Sequence, residues 1–149
     1  MCSSDLAYYP DGAKRSEGVF RNTLPNGEFR FYRTDGSLES QGEMADGQPV
    51  GRWTFWNPEG GKQTEAEYRD GKPSGEWQTW HDDGKLASIS SYKEGKLHGK
   101  QLRWNPDGRR IAEEDYDQGV LHGKCFYADD QGSPESQGAY LQEIGRAHV

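Results

Sequence analysis

The sequence predicts an all-β fold, a single-layer antiparallel meander of tandem β-hairpins that forms an elongated, solenoid-like sheet. The first observation behind this prediction is a glycine every 24 residues, at Gly27, Gly51, Gly75, Gly99 and Gly123. The second is that most aromatic residues recur in phase with these glycines. The third is that no segment of about 11–18 residues has the periodicity of an amphipathic helix. A fixed period of this length is typical of repeat proteins, in which each unit packs only on its neighbours.

Two turns divide each repeat, and short glycine-containing sequences predict both of them. The first is a four-residue sequence such as Asn57-Pro-Glu-Gly60, in which proline restricts φ, asparagine bonds to its own backbone and glycine accepts positive φ. The second is a dipeptide such as Asp70-Gly71. Between the turns lie short runs rich in Trp, Tyr, Phe and Thr, which are residues favoured in strands. The sequence therefore predicts two strands per repeat and about ten strands in all.

Aromatic residues concentrate at three positions of the repeat, which we number from its glycine as position zero. Positions two, five and seventeen hold 13 of the 18 Phe, Trp and Tyr residues. We interpret them as packed side chains that hold the sheet together, and the alternative is an exposed stacking platform. The aromatics singled out for a core or interaction role are Trp53, Trp56, Trp77, Trp80, Trp104, Tyr68, Tyr92 and Tyr116.

Positions two and five differ in parity, so on a regular strand their side chains would face opposite sides of the sheet. Two arrangements satisfy this pattern. Either each strand carries a bulge near these positions, or both faces of the sheet bear aromatics. The sequence leaves both arrangements open.

Composition and charge disfavour several classes of partner. Leu, Ile, Val and Phe make up only 20 of the 149 residues, and the mean hydropathy is −1.13. Such a composition alone is typical of disordered chains, but the periodic aromatics supply a thin core. The formal net charge is −7, and Lys and Arg are dispersed. Because nucleic acids and anionic membranes both attract basic surfaces, we expect neither as a partner.

We predict no catalytic, cofactor or metal site, and no small-molecule substrate. His98 and His122 occupy equivalent positions in successive repeats, so two strand spacings separate them by roughly 9–10 Å. That distance is too long for both to bind one zinc ion without distortion. His81 and Cys125 complete no known metal-ligand spacing, and the serines lack a nucleophile motif. The glutamates are interpreted as solvated strand residues, so we expect a protein that is not an enzyme.

The two ends of the chain do not belong to the repeat. Residues 1–6 and 143–149 resemble translations of a common short-read sequencing adapter, read from opposite strands. We therefore expect the native segment to span about residues 7–142, as a metagenomic fragment with Cys125 as its single cysteine. This segment would hold a partial repeat before Gly27, followed by repeats that start near each glycine of the 24-residue series.

The repeat that begins at Gly75 resembles the MORN repeat variant, a tandem two-stranded unit of about this length. It reads Gly75-Glu-Trp-Gln-Thr-Trp-His-Asp-Asp-Gly-Lys-Leu86, and Tyr92-Lys-Glu-Gly-Lys-Leu-His-Gly-Lys100 follows. The resemblance covers Tyr8 to Gln142, although Cys125 and Ala128 replace aromatics in the last repeat. Bacterial proteins built of such repeats are often labelled antitoxin-like, so the resemblance implies a role in binding a protein partner.

Three functions are consistent with these observations. The first, which we expect, is a noncatalytic scaffold for protein–protein interaction, because the repeats are uniform and open sheet edges can accept a partner strand. The second is a carbohydrate or cell-wall binding module that uses exposed aromatics. The third is the repeat portion of a larger enzyme or membrane-associated protein.

Overall fold

The computed structural model describes residues 2–129, 131, 133–140 and 147–148. All regular structure in these residues is β-strand, and the strands form antiparallel meanders of hairpins, which confirms the predicted fold class. The chain divides into two compact units, residues 1–72 and 73–149. We refer to them as the first and the second unit.

The first unit contains six strands that pair in chain order, each antiparallel to the next. Their bounds are Cys2–Tyr8 (β1), Lys14–Arg21 (β2), Leu24–Tyr32 (β3), Leu38–Ala45 (β4), Gln48–Trp56 (β5) and Lys62–Arg69 (β6). The short β7, Lys72–Pro73, falls where the sequence passes from one unit to the other. Residues 3–6 lie in β1, whereas 143–146 and 149 lie outside the described residues, so the non-native origin of both ends stays a prediction.

The second unit continues the same hairpin pattern. Its strands are Gly75–Trp80 (β8), Leu86–Lys93 (β9), Lys96–Leu97 (β10), Gly99–Trp104 (β11), Arg110–Asp117 (β12), Val120–Leu121 (β13), Gly123–Ala128 (β14), Pro134–Tyr140 (β15) and Ala147–His148 (β16). The strand count exceeds the predicted ten in part because β1 and β2 precede Gly27, and in part because the first strand of the later repeats is interrupted, as β7/β8, β10/β11 and β13/β14. Between β10 and β11, for example, lies His98, whose amide donates to the Ser91 carbonyl at 2.8 Å.

The predicted dipeptide turns are present, and they have the geometry of the two-residue turns that connect twisted antiparallel strands. Asp46 and Gly47 have φ values of 51° and 86°, and Asp70 and Gly71 have 52° and 80°. Positive φ at both central residues is the signature of a type I′ turn, which favours Asp or Asn followed by Gly. The dipeptides therefore set the hairpin register at this end of the strands.

The four-residue turns are also present, and a buried side chain holds at least one of them closed. At Asn57, the Gly60 amide donates to the Asn57 carbonyl at 3.0 Å, and the Asn57 amide donates to the Gly61 carbonyl at 2.8 Å. The Asn57 side-chain oxygen accepts from the Gly61 amide at 2.8 Å. Because Asn57 is buried, this bond satisfies a polar group that would otherwise be costly to bury.

Side chains at position six join successive repeats at the turn end of the sheet. The Tyr9 hydroxyl donates to the Tyr32 carbonyl at 2.7 Å, 23 residues further along the chain. The His81 ring nitrogen Nε2 donates to the Trp104 carbonyl at 2.9 Å, again 23 residues further. Arg33 makes the equivalent bond to the position-five carbonyl of the repeat after its own. His81 therefore stabilises the stacking of repeats, a role that sequence reasoning missed.

Candidate binding surface

The structure shows that both arrangements left open by the parity of positions two and five occur together. Phe31 pairs with Ser40 and Tyr32 pairs with Leu38, so Glu39 is an extra residue on the facing strand β4. Because β3 itself stays regular from Phe29 to Tyr32, these position-two and position-five rings point to opposite faces of the sheet. The same register shift recurs at Phe55/Trp56, Thr79/Trp80 and Arg103/Trp104.

One face of the first unit carries a continuous row of aromatic rings, which we call the aromatic face. It consists of Phe20, Phe29, Phe31, Trp53 and Phe55, and successive ring centroids are 5.3, 5.9, 6.2 and 6.3 Å apart. Rings at these separations contact one another. The row runs across β2, β3 and β5, so it connects successive repeats of the first unit.

Two glycines make room for the Trp53 and Phe29 rings of the aromatic face. A Cβ atom at Gly42 would lie 2.2 Å from the Trp53 ring, and one at Gly18 would lie 2.2 Å from the Phe29 ring. Each ring therefore lies directly against the backbone, and Phe29 and Trp53 are each only 5% exposed although the sheet has a single layer. The Trp53 indole also donates to the Glu43 carbonyl at 2.9 Å.

Beside this row lies a concave region of about 350 Å³, which we call the aromatic cleft. Its lining residues are Phe31, Glu39, Ser40, Met44, Pro49, Trp53, Phe55 and Tyr68. Most of the lining is apolar, and Glu39 contributes the single formal charge. Concave, mostly apolar regions with a few polar groups are the usual sites for ligands and for anchoring side chains.

The opposite face of the first unit is charged. The Lys14 ammonium lies 3.1 Å from the Glu17 carboxylate and 5.0 Å from the centre of the Tyr32 ring. The Tyr32 hydroxyl donates to Glu17, and this bond, followed by the one from Lys14, lowers the pKa of Glu17. Such exposed pairs contribute little stability, so this face is best described as a solvated surface.

The aromatics singled out from the sequence differ in their burial. Trp53 is buried, whereas Trp56, Trp77, Trp80, Trp104, Tyr68, Tyr92 and Tyr116 are half-buried. The Trp77 and Tyr92 rings lie 5.0 Å apart within the second unit. The structure therefore brings Trp53 and Tyr68 into one cleft and pairs Trp77 with Tyr92. An interaction role for any of these residues stays a prediction.

In the last repeats, polar groups replace the aromatic packing. Glu114 is only 6% exposed, and it accepts bonds from the Arg103 guanidinium at 2.7 Å and from the Tyr116 hydroxyl at 2.6 Å. Cys125, which stands where earlier repeats have Phe29 or Trp53, is buried and free. A buried carboxylate needs such partners, because an unpaired buried charge is strongly destabilising.

The series at position fifteen was the sequence signal for this change, and sequence reasoning missed it. That position holds Gly18, Gly42, Ala66, Ser90 and Glu114 in successive repeats. Its size increases up to Glu114, which pairs with Gln101 at position two, and returns to glycine at Gly138, which pairs with Cys125. At Gly18 and Gly42, the glycine at position fifteen marks a ring lying against the backbone.

Neither a metal centre nor a helical membrane segment is found in the described part of the chain. Among those residues, no group of three or more His, Cys, Asp or Glu side chains could hold a metal ion. The same residues form no helix long and apolar enough to span a membrane.

Alkaline pH should destabilise the second unit through Tyr116. Burial, followed by the bond to Glu114, raises the pKa of Tyr116 above its usual value of 10.0. Because the folded state holds this proton more tightly, the contribution is complete below about pH 10 and decreases as pH rises above that value. Urea unfolding should show a stability loss above about pH 10. In Tyr116→Phe the slope of that loss should be shallower, and an unchanged slope would contradict the assignment.

Together, these features define a class of protein, a tandem β-hairpin repeat protein with an aromatic face in its first unit. Residues 73–94, which include β8 and β9, match the family described as "MORN repeat variant". The MORN repeat resemblance is thus supported by one full hairpin of the second unit. No curated protein matches the chain.

Proposed function

We propose that the chain is a noncatalytic scaffold that binds a protein partner through the aromatic face of its first unit. The observation that carries this proposal is the row of five contacting rings on a sheet with a single layer. A sheet face of this kind is normally covered by a second layer. Repeats of the MORN family are generally noncatalytic modules, which is consistent with a role in assembly.

Aromatic residues supply large contact area at a low cost in side-chain entropy, and they dominate binding energies at protein interfaces. Phe31 and Phe55 are half-buried, so a partner can still bury part of each ring. They flank Trp53, which is already fixed by its bond to Glu43. A partner side chain inserted beside them would therefore meet a preorganised surface. The antitoxin-like role is the narrower form of this proposal, in which the partner is a toxin protein.

The proposal is tested by affinity capture with two matched charge substitutions. Phe55→Asp places a carboxylate on the aromatic face, and Arg52→Asp places one on the opposite face of the same strand. We expect Phe55→Asp to reduce capture of the partner by tenfold or more, because a charge would be buried at the interface. Arg52→Asp should leave capture nearly unchanged. Circular dichroism and urea unfolding would establish that both variants fold.

Three results would count against this proposal. One is capture that depends on Arg52 and not on Phe55, and another is the absence of any protein partner together with turnover of a substrate. The third is retention on a glycan or cell-wall matrix that disappears when Trp56, Trp80 and Trp104 are changed to alanine. That last result would favour the carbohydrate-binding alternative.

A further inference from the structure

The aromatic cleft has a chemistry that a purely apolar contact surface does not need. Four of its eight lining residues are aromatic, Met44 adds a polarizable thioether, and Glu39 adds a carboxylate. None of these eight lining residues is basic. The faces of aromatic rings carry a negative electrostatic potential because of the ring quadrupole. The cleft therefore presents negative potential together with apolar surface.

The rings are arranged so that a group in the cleft meets more than one ring. The Phe31 and Trp53 rings are tilted by 33° to each other, and the Trp53 and Phe55 rings by 32°. Trp53 is nearly covered, whereas Phe31, Phe55 and Tyr68 are half-buried and keep part of their surface accessible. A volume of about 350 Å³ is at the lower end of the roughly 300–1,000 Å³ found for small-ligand sites.

Glu39 is held at the cleft by the bulge described above. It is the extra residue between Ser40 and Leu38, and it is exposed. No cationic side chain among the described residues forms an ion pair with Glu39. Its carboxylate is therefore available to a cation that enters the cleft.

We propose that the aromatic cleft binds a methylated ammonium group. Such a cation carries its charge beneath apolar methyl groups, so it is weakly hydrated and is attracted to ring faces. A metal ion would lose its hydration shell without gaining enough oxygen ligands. This inference goes beyond the proposed scaffold role, because it assigns the cleft a small cationic ligand that the free chain binds without a protein partner.

The test is a titration of the full chain with choline, followed by amide chemical shifts and by tryptophan fluorescence. The matched control ligand is 3,3-dimethyl-1-butanol, which has the shape of choline without its charge. We expect choline to bind in the millimolar range and the neutral alcohol at least tenfold more weakly. Equal binding of both ligands, or no shift with choline, would overturn the proposal.

Variants of the cleft test whether choline binding depends on its positive charge or only on apolar contact. Phe55→Leu keeps apolar volume but removes a ring face, and Glu39→Gln keeps shape but removes the charge. Each should weaken choline binding by about three- to tenfold. Glu43→Gln, on the same strand as Glu39 but on the opposite face, should have no effect. If all three variants bound choline as tightly as the unsubstituted chain does, the assignment to this cleft would be overturned.

Three ligands, free choline among them, identify the source of the ammonium group. They are a trimethyllysine peptide, phosphatidylcholine vesicles and free choline, with an unmethylated peptide and phosphatidylglycerol vesicles as controls. Binding of any methylated ligand above its control supports the proposal, and binding of none overturns it. Phe55→Leu also distinguishes the two proposals, because it should retain an apolar protein partner while it weakens binding of the cation by about three- to tenfold.

Discussion

Replacing Trp53 with alanine should lower the free energy of unfolding by about 3–5 kcal/mol, the range for large aromatic truncations in a core. The indole is only 5% exposed, and its ring centre lies 6.2 Å from that of Phe31 and 6.3 Å from that of Phe55. The substitution also leaves the Glu43 carbonyl without its donor, which adds to the loss. Urea unfolding monitored by circular dichroism would measure the change.

The matched control is Trp56→Ala, which truncates the same residue type on the same strand but on the opposite face. Trp56 is half-buried, so less contact is lost. The Trp56 carbonyl, which accepts the bond from Arg33, belongs to the backbone and remains in the variant. We expect a clearly smaller loss of stability. Equal losses in the two variants would contradict the view that the aromatic face holds the first unit together.

Much of the fold could be predicted because turns and aromatics are local signals. The sequence Asn57-Pro-Glu-Gly60 forms the predicted turn, and the hydrogen bonds of this turn all join residues within 57–61. Asp70-Gly71 forms the predicted type I′ turn. Both turns depend on the conformational preferences of single residues. Their regular recurrence was therefore enough to predict the hairpins and the antiparallel meander.

The faces of the sheet could not be predicted, because they depend on cross-strand register. The bulge at Glu39 leaves β3 regular from Phe29 to Tyr32 and adds a residue to β4. A sequence pattern records spacing along one strand, but the bulge is a property of two strands. Parity alone therefore could not distinguish a bulge from aromatics on both faces, and the structure contains both.

The candidate site was predicted only in part, for a related reason. Trp53 and Tyr68 were singled out from the repeat, and both line the cleft. Glu39 and Met44 were not, because neither is an aromatic at its position. Gly42 was missed since it belongs neither to the 24-residue series that includes Gly27 nor to the glycines of the predicted turns. Its role becomes visible only when β4 is placed beside β5 and the Trp53 ring lies against it.

The substitution Gly42→Ala should destabilise the first unit, although it adds only one methyl group. Gly42 does not have the positive φ that marks the turn glycines, so alanine meets no backbone strain there. In an open position it would even stabilise the protein by about 0.4–1 kcal/mol. Here the new Cβ would lie 2.2 Å from the Trp53 ring. The rigid indole must move, and we expect a net loss of about 1–3 kcal/mol by urea unfolding.

The same substitution in a Trp53→Leu background separates this clash from any other effect of Gly42. Leucine is smaller and can rotate away, so the added methyl group should fill space that the indole occupied. We expect the double variant to be more stable than the sum of the single changes predicts, by about 0.5–3 kcal/mol. Additive losses would show that Gly42 matters for a reason other than Trp53. Non-additivity would support the same explanation for Gly18, which occupies the same repeat position and lies against the Phe29 ring.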